Sequence, residues 1–409
     1  MQEFFNFNLE KISSSKNEAL DREKNLQLFL DKGFPNKKDE NWKFSDLKSI
    51  VNKNFKSITN NYDFETEKKI DFIKNFDHNY IILVNGLLKT SEIKFEEKGK
   101  ITIESINSQD VLNDFPDNNL HSLNKALSLG GFVLKIKENY KCKKPIIIYN
   151  YFTSNLDNKI INNSNKIKLE QNSELILIEY NVTENSRFLK NTFENIEIKK
   201  NSLLKNFTIQ KTNSDGYFYK HISGSQEYNS SYQNFILSSG LKFNKIEIDM
   251  NLKKENCNCF ILSGLCLKNG EHQEIKTRIN HLAKNCKSYQ KIKNVLEENS
   301  TGVYQGKIFV KEIAQKTDAY QLSKALILDD NSEFNAKPEL EIYADDVKCS
   351  HGSASGSLNE NSIFYLMSRG LNYQQSKELL INGFLLDVVE KITDEEIKNL
   401  IKNMIGLKE

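Results

Sequence analysis

The chain has 409 residues, 57 lysines and arginines against 55 aspartates and glutamates, a net charge of +2 and 38% hydrophobic residues. That length buries a large core and allows two or three domains, so the fold needs no staples. The near-balance of charge supplies no global field toward nucleic acid, the start Met1-Gln2-Glu3-Phe4-Phe5-Asn6-Phe7-Asn8 carries no basic region followed by an apolar signal core, and no apolar run approaches about 18 residues; the expectation is a cytoplasmic protein bound to neither nucleic acid nor membrane. Six cysteines, at 142, 257, 259, 266, 286 and 349, are too sparse for a disulfide framework and fit a reducing compartment.

In chain order, Ala19, Leu20, Leu26, Phe29 and Leu30 give an apolar stripe at helical spacing, ended by Gly33-Phe34-Pro35. Trp42, the single tryptophan, reads as an aromatic anchor packing this arm onto the body. The expected organisation is an N-terminal helical and mixed region over 1–139, a β-rich core over 140–348 and a helical domain over 349–409. Within the core, Pro145-Ile146-Ile147-Ile148-Tyr149, Lys166-Ile167-Lys168-Leu169 and Glu174 to Glu179 are β-branched or alternating, and Pro145 is the one proline between 117 and 337, which permits long continuous sheet. Past His351 the texture turns helical. Ile363, Phe364, Leu366 and Met367 stop at Arg369-Gly370, Leu379 to Leu386 form a second segment, and Thr393-Asp394-Glu395-Glu396 reads as a capping box opening a third.

Polar pairs led by asparagine recur at Asn172, Asn201, Asn229, Asn256 and Asn285, with spacings of 29, 28, 27 and 29 residues. This regularity suggests a solenoid whose coils stack on one another. On pattern alone a β-sandwich competes, because further Asn-Ser pairs at Asn107, Asn163, Asn185 and Asn213 fall outside the series.

The strongest chemical lead is Cys349-Ser350-His351-Gly352. On a strand, residues two apart share a face, so Cys349 and His351 would present sulfur and nitrogen side by side, a donor pair suited to iron, zinc or an iron–sulfur cluster. Lys348 alternates to the other face and is not placed to favour a Cys349 thiolate; a buried, inert thiol is the competing reading. Cys257, Cys259, Cys266 and Cys286 lack paired zinc-ligand spacing and read as core, and His272 and His281 as structural. No Gly-x-x-x-x-Gly-Lys-Ser/Thr loop, Gly-x-Ser-x-Gly elbow or dinucleotide fingerprint occurs, so nucleotide hydrolysis is expected on another subunit.

Three blocks make the chain resemble the SufB/SufD family of iron–sulfur assembly proteins, on its SufD side. They are Gly33-Phe34-Pro35 with Glu40-Asn41-Trp42-Lys43-Phe44; then His272 to Thr277, His281, Gly302 to Ile308 and Ala314 to Gln321; then Lys337 to Asp346, Cys349 to Gly352, Phe364-Tyr365-Leu366 and Ser368-Arg369-Gly370. Ser353-Ala354-Ser355 departs from the family's usual Ala-Thr-Val run.

The resemblance implies a mainly β fold, a right-handed parallel β-helix core between an N-terminal helical region and a C-terminal helical domain. It implies a non-catalytic scaffold of a SufBCD-type complex, with a SufB-like subunit meeting the β-helix and a SufC-like ABC ATPase docking on the C-terminal helices. His351, with Cys349, then corresponds to the position proposed to hold transient iron or a nascent cluster at the SufB interface. A homodimer in the absence of SufB and a flavin on the whole complex stay open. The alternatives are a β-helix polysaccharide-active enzyme and a purely structural partner of SufB.

Overall fold

The computed structural model describes residues 9–58, 72–106, 118–183 and 187–404. The Met1 to Asn8 reading, Asn107 and Asn185 lie outside them. The N-terminal arm holds α1 (Lys16–Lys32), α2 (Leu47–Asn54) and β1 (Ser57–Ile58). Next come β2 (Asn79–Val84), β3 (Leu87–Glu92), β4 (Ile101–Ser105), α3 (Asn119–Leu127) and β5 (Gly130–Ile136). The body continues with β6 (Ile146–Phe152), β7 (Lys159–Leu169), β8 (Glu174–Thr183), β9 (Phe188–Ile198), β10 (Leu203–Gln226) and β11 (Ser231–Leu252). Strands β12 (Asn258–Leu267), β13 (His272–His281), β14 (Lys287–Leu296), β15 (Thr301–Val310), β16 (Asp318–Ile327), β17 (Glu333–Ile342) and β18 (Lys348–Gly356) complete it. The tail is α4 (Glu360–Ser368), α5 (Tyr373–Val389) and α6 (Glu395–Met404).

The strands stack as a β-solenoid. One parallel ladder runs β2, β6, β8, β10, β11, β12, β14, β16, β18, and a second runs β5, β7, β9, β10, β11, β13, β15, β17. Strands β10 and β11 are long enough to serve both. Only the β2–β3 and β4–β5 pairs are antiparallel among the described strands. Stacking rather than sandwiching follows from the parallel register, because an antiparallel sandwich would reverse direction at every turn.

The asparagine series marks the turns. Asn172, Asn201, Asn229, Asn256 and Asn285 take φ between 54° and 61°, left-handed backbone that asparagine tolerates better than most residues. Their amides also bond along the stack, Asn201 Nδ2 to Asn172 Oδ1 at 2.9 Å and Asn229 Nδ2 to Asn201 Oδ1 at 3.0 Å. The next residue in each turn is buried and donates to a main-chain carbonyl, as Ser173 Oγ does to Glu170 O and Cys257 Sγ to Lys254 O. Cys257 therefore belongs to this turn column, while Cys259 lies within β12.

Between the ladders lies the main core, including Leu204, Ile236, Ile261, Ile275, Ile279 and Ile292. The outer walls are covered as well. Trp42 seals the arm against the second ladder, its ring 5.3 Å from that of Tyr219 and 4.0 Å below the Lys245 ammonium. On the first ladder, Val388, Ile392, Ile397 and Ile401 cover Phe207 and Phe235. Helix α6 is capped one residue later than expected: Asp394 Oδ1 accepts from Ile397 N, while Thr393 Oγ1 accepts from Lys205 Nζ.

His272 and His281 are both built into the second ladder, His272 with its Nε2 3.0 Å from Ser45 Oγ and its ring stacked on Phe243. His281 is buried, its Nε2 lies 2.9 Å from Ser288 Oγ, and burial pushes its pKa down to about 4. A histidine kept neutral in the fold contributes stability that is complete above the unfolded value near 6.5 and lost as pH falls toward 4. We expect up to about 3 kcal/mol to disappear over that window. Urea unfolding at pH 7.5 and 4.5 should show a smaller loss for His281→Gln than for the parent; an equal loss would mean that another group carries the dependence.

Candidate functional site

The run from Pro338 to Gly352 is two strands, broken at residues 343–347. Cys349 and His351 both lie on β18, the last strand of the first ladder, and they share a face as alternation requires. Register shows which face it is. Cys349 continues the row Cys259, Ser288, Ala319, and His351 continues the row Ile261, Gln290, Gln321. Every preceding member of both rows is buried in the solenoid interior. At β18 no described strand stacks beyond, so the interior rows come to the surface: Cys349 is half-buried and His351 exposed.

Beneath His351 the interior is polar and tightly fitted. Tyr304 Oη donates toward Gln290 Oε1 at 3.1 Å and Gln321 Oε1 at 3.2 Å, Thr277 Oγ1 donates to Gln290 Oε1, and Gln321 Nε2 donates to Glu339 O. Gly306 makes room for this, since a Cβ there would stand 2.2 Å from Gln321 Oε1 and 2.3 Å from Tyr304 Oη. Sequence reading missed Gln321 and Gln290 as the residues under the histidine. The signal was available, because stepping back from His351 by one coil, 30 residues, lands on Gln321.

The two donors differ in readiness. Burial, with the Asp318 carboxylate nearby, raises the Cys349 pKa, so the thiol stays protonated near neutrality. A protonated thiol is a poor ligand and nucleophile. The His351 ring makes no hydrogen bond with a described residue; neither Asp345 nor Asp346 reaches it, and Asp346 instead engages Gln315 and Lys316 through its main chain. Among the described residues no cluster of three or more His, Cys, Asp or Glu could hold a metal ion. What β18 offers is therefore an incomplete donor set: one free imidazole and one neutral thiol on an exposed rim.

Near this rim, α4 and α5 leave large side chains uncovered. Phe364 is 74% exposed, and Tyr365, Met367, Tyr373 and Leu379 are also exposed. Helix α5 is fastened to the solenoid by Asp387, which binds Lys291 and Lys293, the latter at 2.7 Å. No helix among the described residues is long and apolar enough to cross a membrane.

Residues 151–384 match the family model described as "SUF system FeS cluster assembly, SufBD core domain", and residues 1–148 match that of the SufBD protein N-terminal region. The chain is 25% identical to the iron–sulfur cluster assembly protein SufD of Escherichia coli over 392 residues, 94% of this chain and 91% of that one. It is 25% identical to Protein ABCI7, chloroplastic, of Arabidopsis thaliana, covering 94% and 84%. A shorter match, 31% over 140 residues and about a third of each chain, links it to SufD of Bacillus subtilis. With the core model spanning more than half of its length, the chain belongs to the SufB/SufD family and is SufD-like.

Proposed function

We propose that this chain is a non-catalytic scaffold subunit of a SufBCD-type iron–sulfur assembly complex in the cytoplasm. One observation carries the reading: the solenoid ends on a strand whose interior-facing rows surface as a bare imidazole and a thiol, too few donors to enclose iron. A SufB-like subunit stacked against β18 supplies the missing ligands, so that iron or a nascent cluster is held between the two chains. His351 is the principal ligand from this side. A metal must bind its neutral form, and a carboxylate or carbonyl from the partner would fix the tautomer. Cys349 is secondary until a neighbouring positive charge or the metal itself removes its proton.

The exposed aromatic face of α4 and α5 is the docking surface for a SufC-like ABC ATPase, which hydrolyses the nucleotide. Asp387 ties that face to β14, so a movement of the helices on ATP closure is transmitted to the ladder that ends at His351.

The test is co-expression with SufB-like and SufC-like chains. His351→Ala should leave the purified complex at unchanged stoichiometry while bound iron and sulfide fall on the order of tenfold or more. Cys349→Ser should have the smaller effect. Full iron loading of the His351→Ala complex would remove the proposed role.

A further inference from the structure

The buried turn column changes chemistry partway along the solenoid. In stacking order its members are Ser173, Ser202, Ser230, Cys257, Cys286 and Thr317, so hydroxyls flank two thiols that no other residue separates. Cys257 and Cys286 are direct neighbours in the stack, because Lys287 N donates to Cys257 O at 2.8 Å and Asn258 stands opposite Lys287. In the chain they lie one whole coil apart, and paired-cysteine spacing does not reveal them.

Both thiols turn to the same acceptor. Cys257 Sγ lies 3.0 Å from Lys254 O and Cys286 Sγ 3.3 Å from it, so two sulfurs gather around one carbonyl oxygen. Cys257 Sγ is also 3.0 Å from Glu227 O and 3.8 Å from Ser230 Oγ on the preceding coil. The Cys286 thiol favours the thiolate of its neighbour and, against the effect of burial, holds the Cys257 pKa down to about 7. The same contact, with burial, raises that of Cys286. The first proton is therefore easily released at neutral pH, and the second must be displaced by whatever binds. The two turns carry Lys253, Lys254, Lys284 and Lys287 against the single acid Glu255, surroundings that suit thiolates. Among the described residues no third histidine, cysteine, aspartate or glutamate joins the pair.

We propose that Cys257 and Cys286 bind one copper(I) ion as a bis-thiolate, with Lys254 O as a weak third neighbour. Soft thiolates select copper(I), and two sulfurs satisfy that ion, whereas structural zinc takes four donors. The spacing fits as well: stacked strands stand about 4.8 Å apart, and two metal–sulfur bonds in line span about 4.6 Å at the zinc–sulfur length. Binding replaces two S–H bonds by two S–Cu bonds and releases two protons, which leaves a singly negative site and no change of oxidation state. Nothing in this site depends on the role assigned to His351.

The test is anaerobic titration of the full chain with copper(I) against a copper(I)-selective chelator, followed by X-ray absorption at the copper edge. One ion per chain should resist the chelator, with two sulfur neighbours and no imidazole nitrogen. Cys257→Ser and Cys286→Ser should each lower its affinity by about a hundredfold or more. Neither should shift the melting temperature, since serine already fills this column at Ser173, Ser202 and Ser230. Cys349→Ser and His351→Ala should leave the bound ion in place. Three results would overturn the proposal: no chelator-resistant copper, imidazole nitrogen in its coordination shell, or full retention of the ion when both serine substitutions are combined.

Discussion

Lys220→Met is expected to cost about 3–5 kcal/mol of folding stability, measured by chemical denaturation. Lys220 sits inside the solenoid, its ammonium 2.6 Å from Glu179 Oε2 and 3.1 Å from Glu194 Oε2, while Lys190 reaches Glu179 Oε1 at 3.3 Å. All four side chains are buried. Burial opposes the ionisation of Glu179, but Lys220 and Lys190 outweigh it and hold its pKa at about 2. Removing the ammonium leaves Glu194, whose Oε1 already lacks a partner, as a buried carboxylate with a hydrogen bond from Asn165 Nδ2 but without its ion pair. Lys190→Met should cost less, because Lys190 contacts only one of the two acids and burial already lowers its own pKa. In the parent protein the quartet's contribution is complete above about pH 4.5 and declines as pH falls toward 2, since the shifted carboxyl is the depressed one. A Lys220→Met protein as stable as its parent would mean that the quartet is hydrated and contributes nothing.

Gly131→Ala should be at least as damaging, with a loss above about 4 kcal/mol or no soluble protein. Gly131 is the second residue of β5, with a φ of 123°, where β3, β5 and β7 converge. A methyl group would stand 1.6 Å from the main-chain oxygen of Ser164, and that oxygen belongs to a ladder that cannot swing aside. Gly270→Ala provides the contrast. It also has a positive φ, 69°, but nothing lies within 4 Å of its Cβ position, so its cost is limited to backbone strain of about 1–2 kcal/mol. Equal melting temperatures for the two variants would show that crowding at the three-strand junction is not the cause.

The asparagine spacing was readable because left-handed turns restrict residue choice, and a stacked fold repeats the restriction at every coil. The phase of the strands was harder to read. In Leu175 to Ile178 both faces are apolar, one packing inward and the other under the C-terminal helices, so alternation is erased and nothing marks Glu179 as an interior residue. The buried quartet was invisible for the same reason. The double role of β10 and β11 was also hidden, because Lys211 to Gly216 in one and Ser238-Ser239-Gly240 in the other have the composition of a turn between strands, whereas the pairing runs on through them from one ladder to the other. For the site, the shared face of Cys349 and His351 was legible from i, i+2 alternation. That the face is the solenoid interior, brought to light by the end of the stack, required register.

The two ladders do not finish alike. On β17, Lys337, Pro338, Glu339 and Glu341 place charge and a residue without an N–H along the final edge, the usual means of discouraging an incoming strand. Strand β18 has no such guard: past Lys348 it reads Cys-Ser-His-Gly-Ser-Ala-Ser-Gly, small and uncharged at neutral histidine, with main-chain groups unclaimed on the far side. Of these two terminal strands, the one left open to strand addition is the one that carries the imidazole.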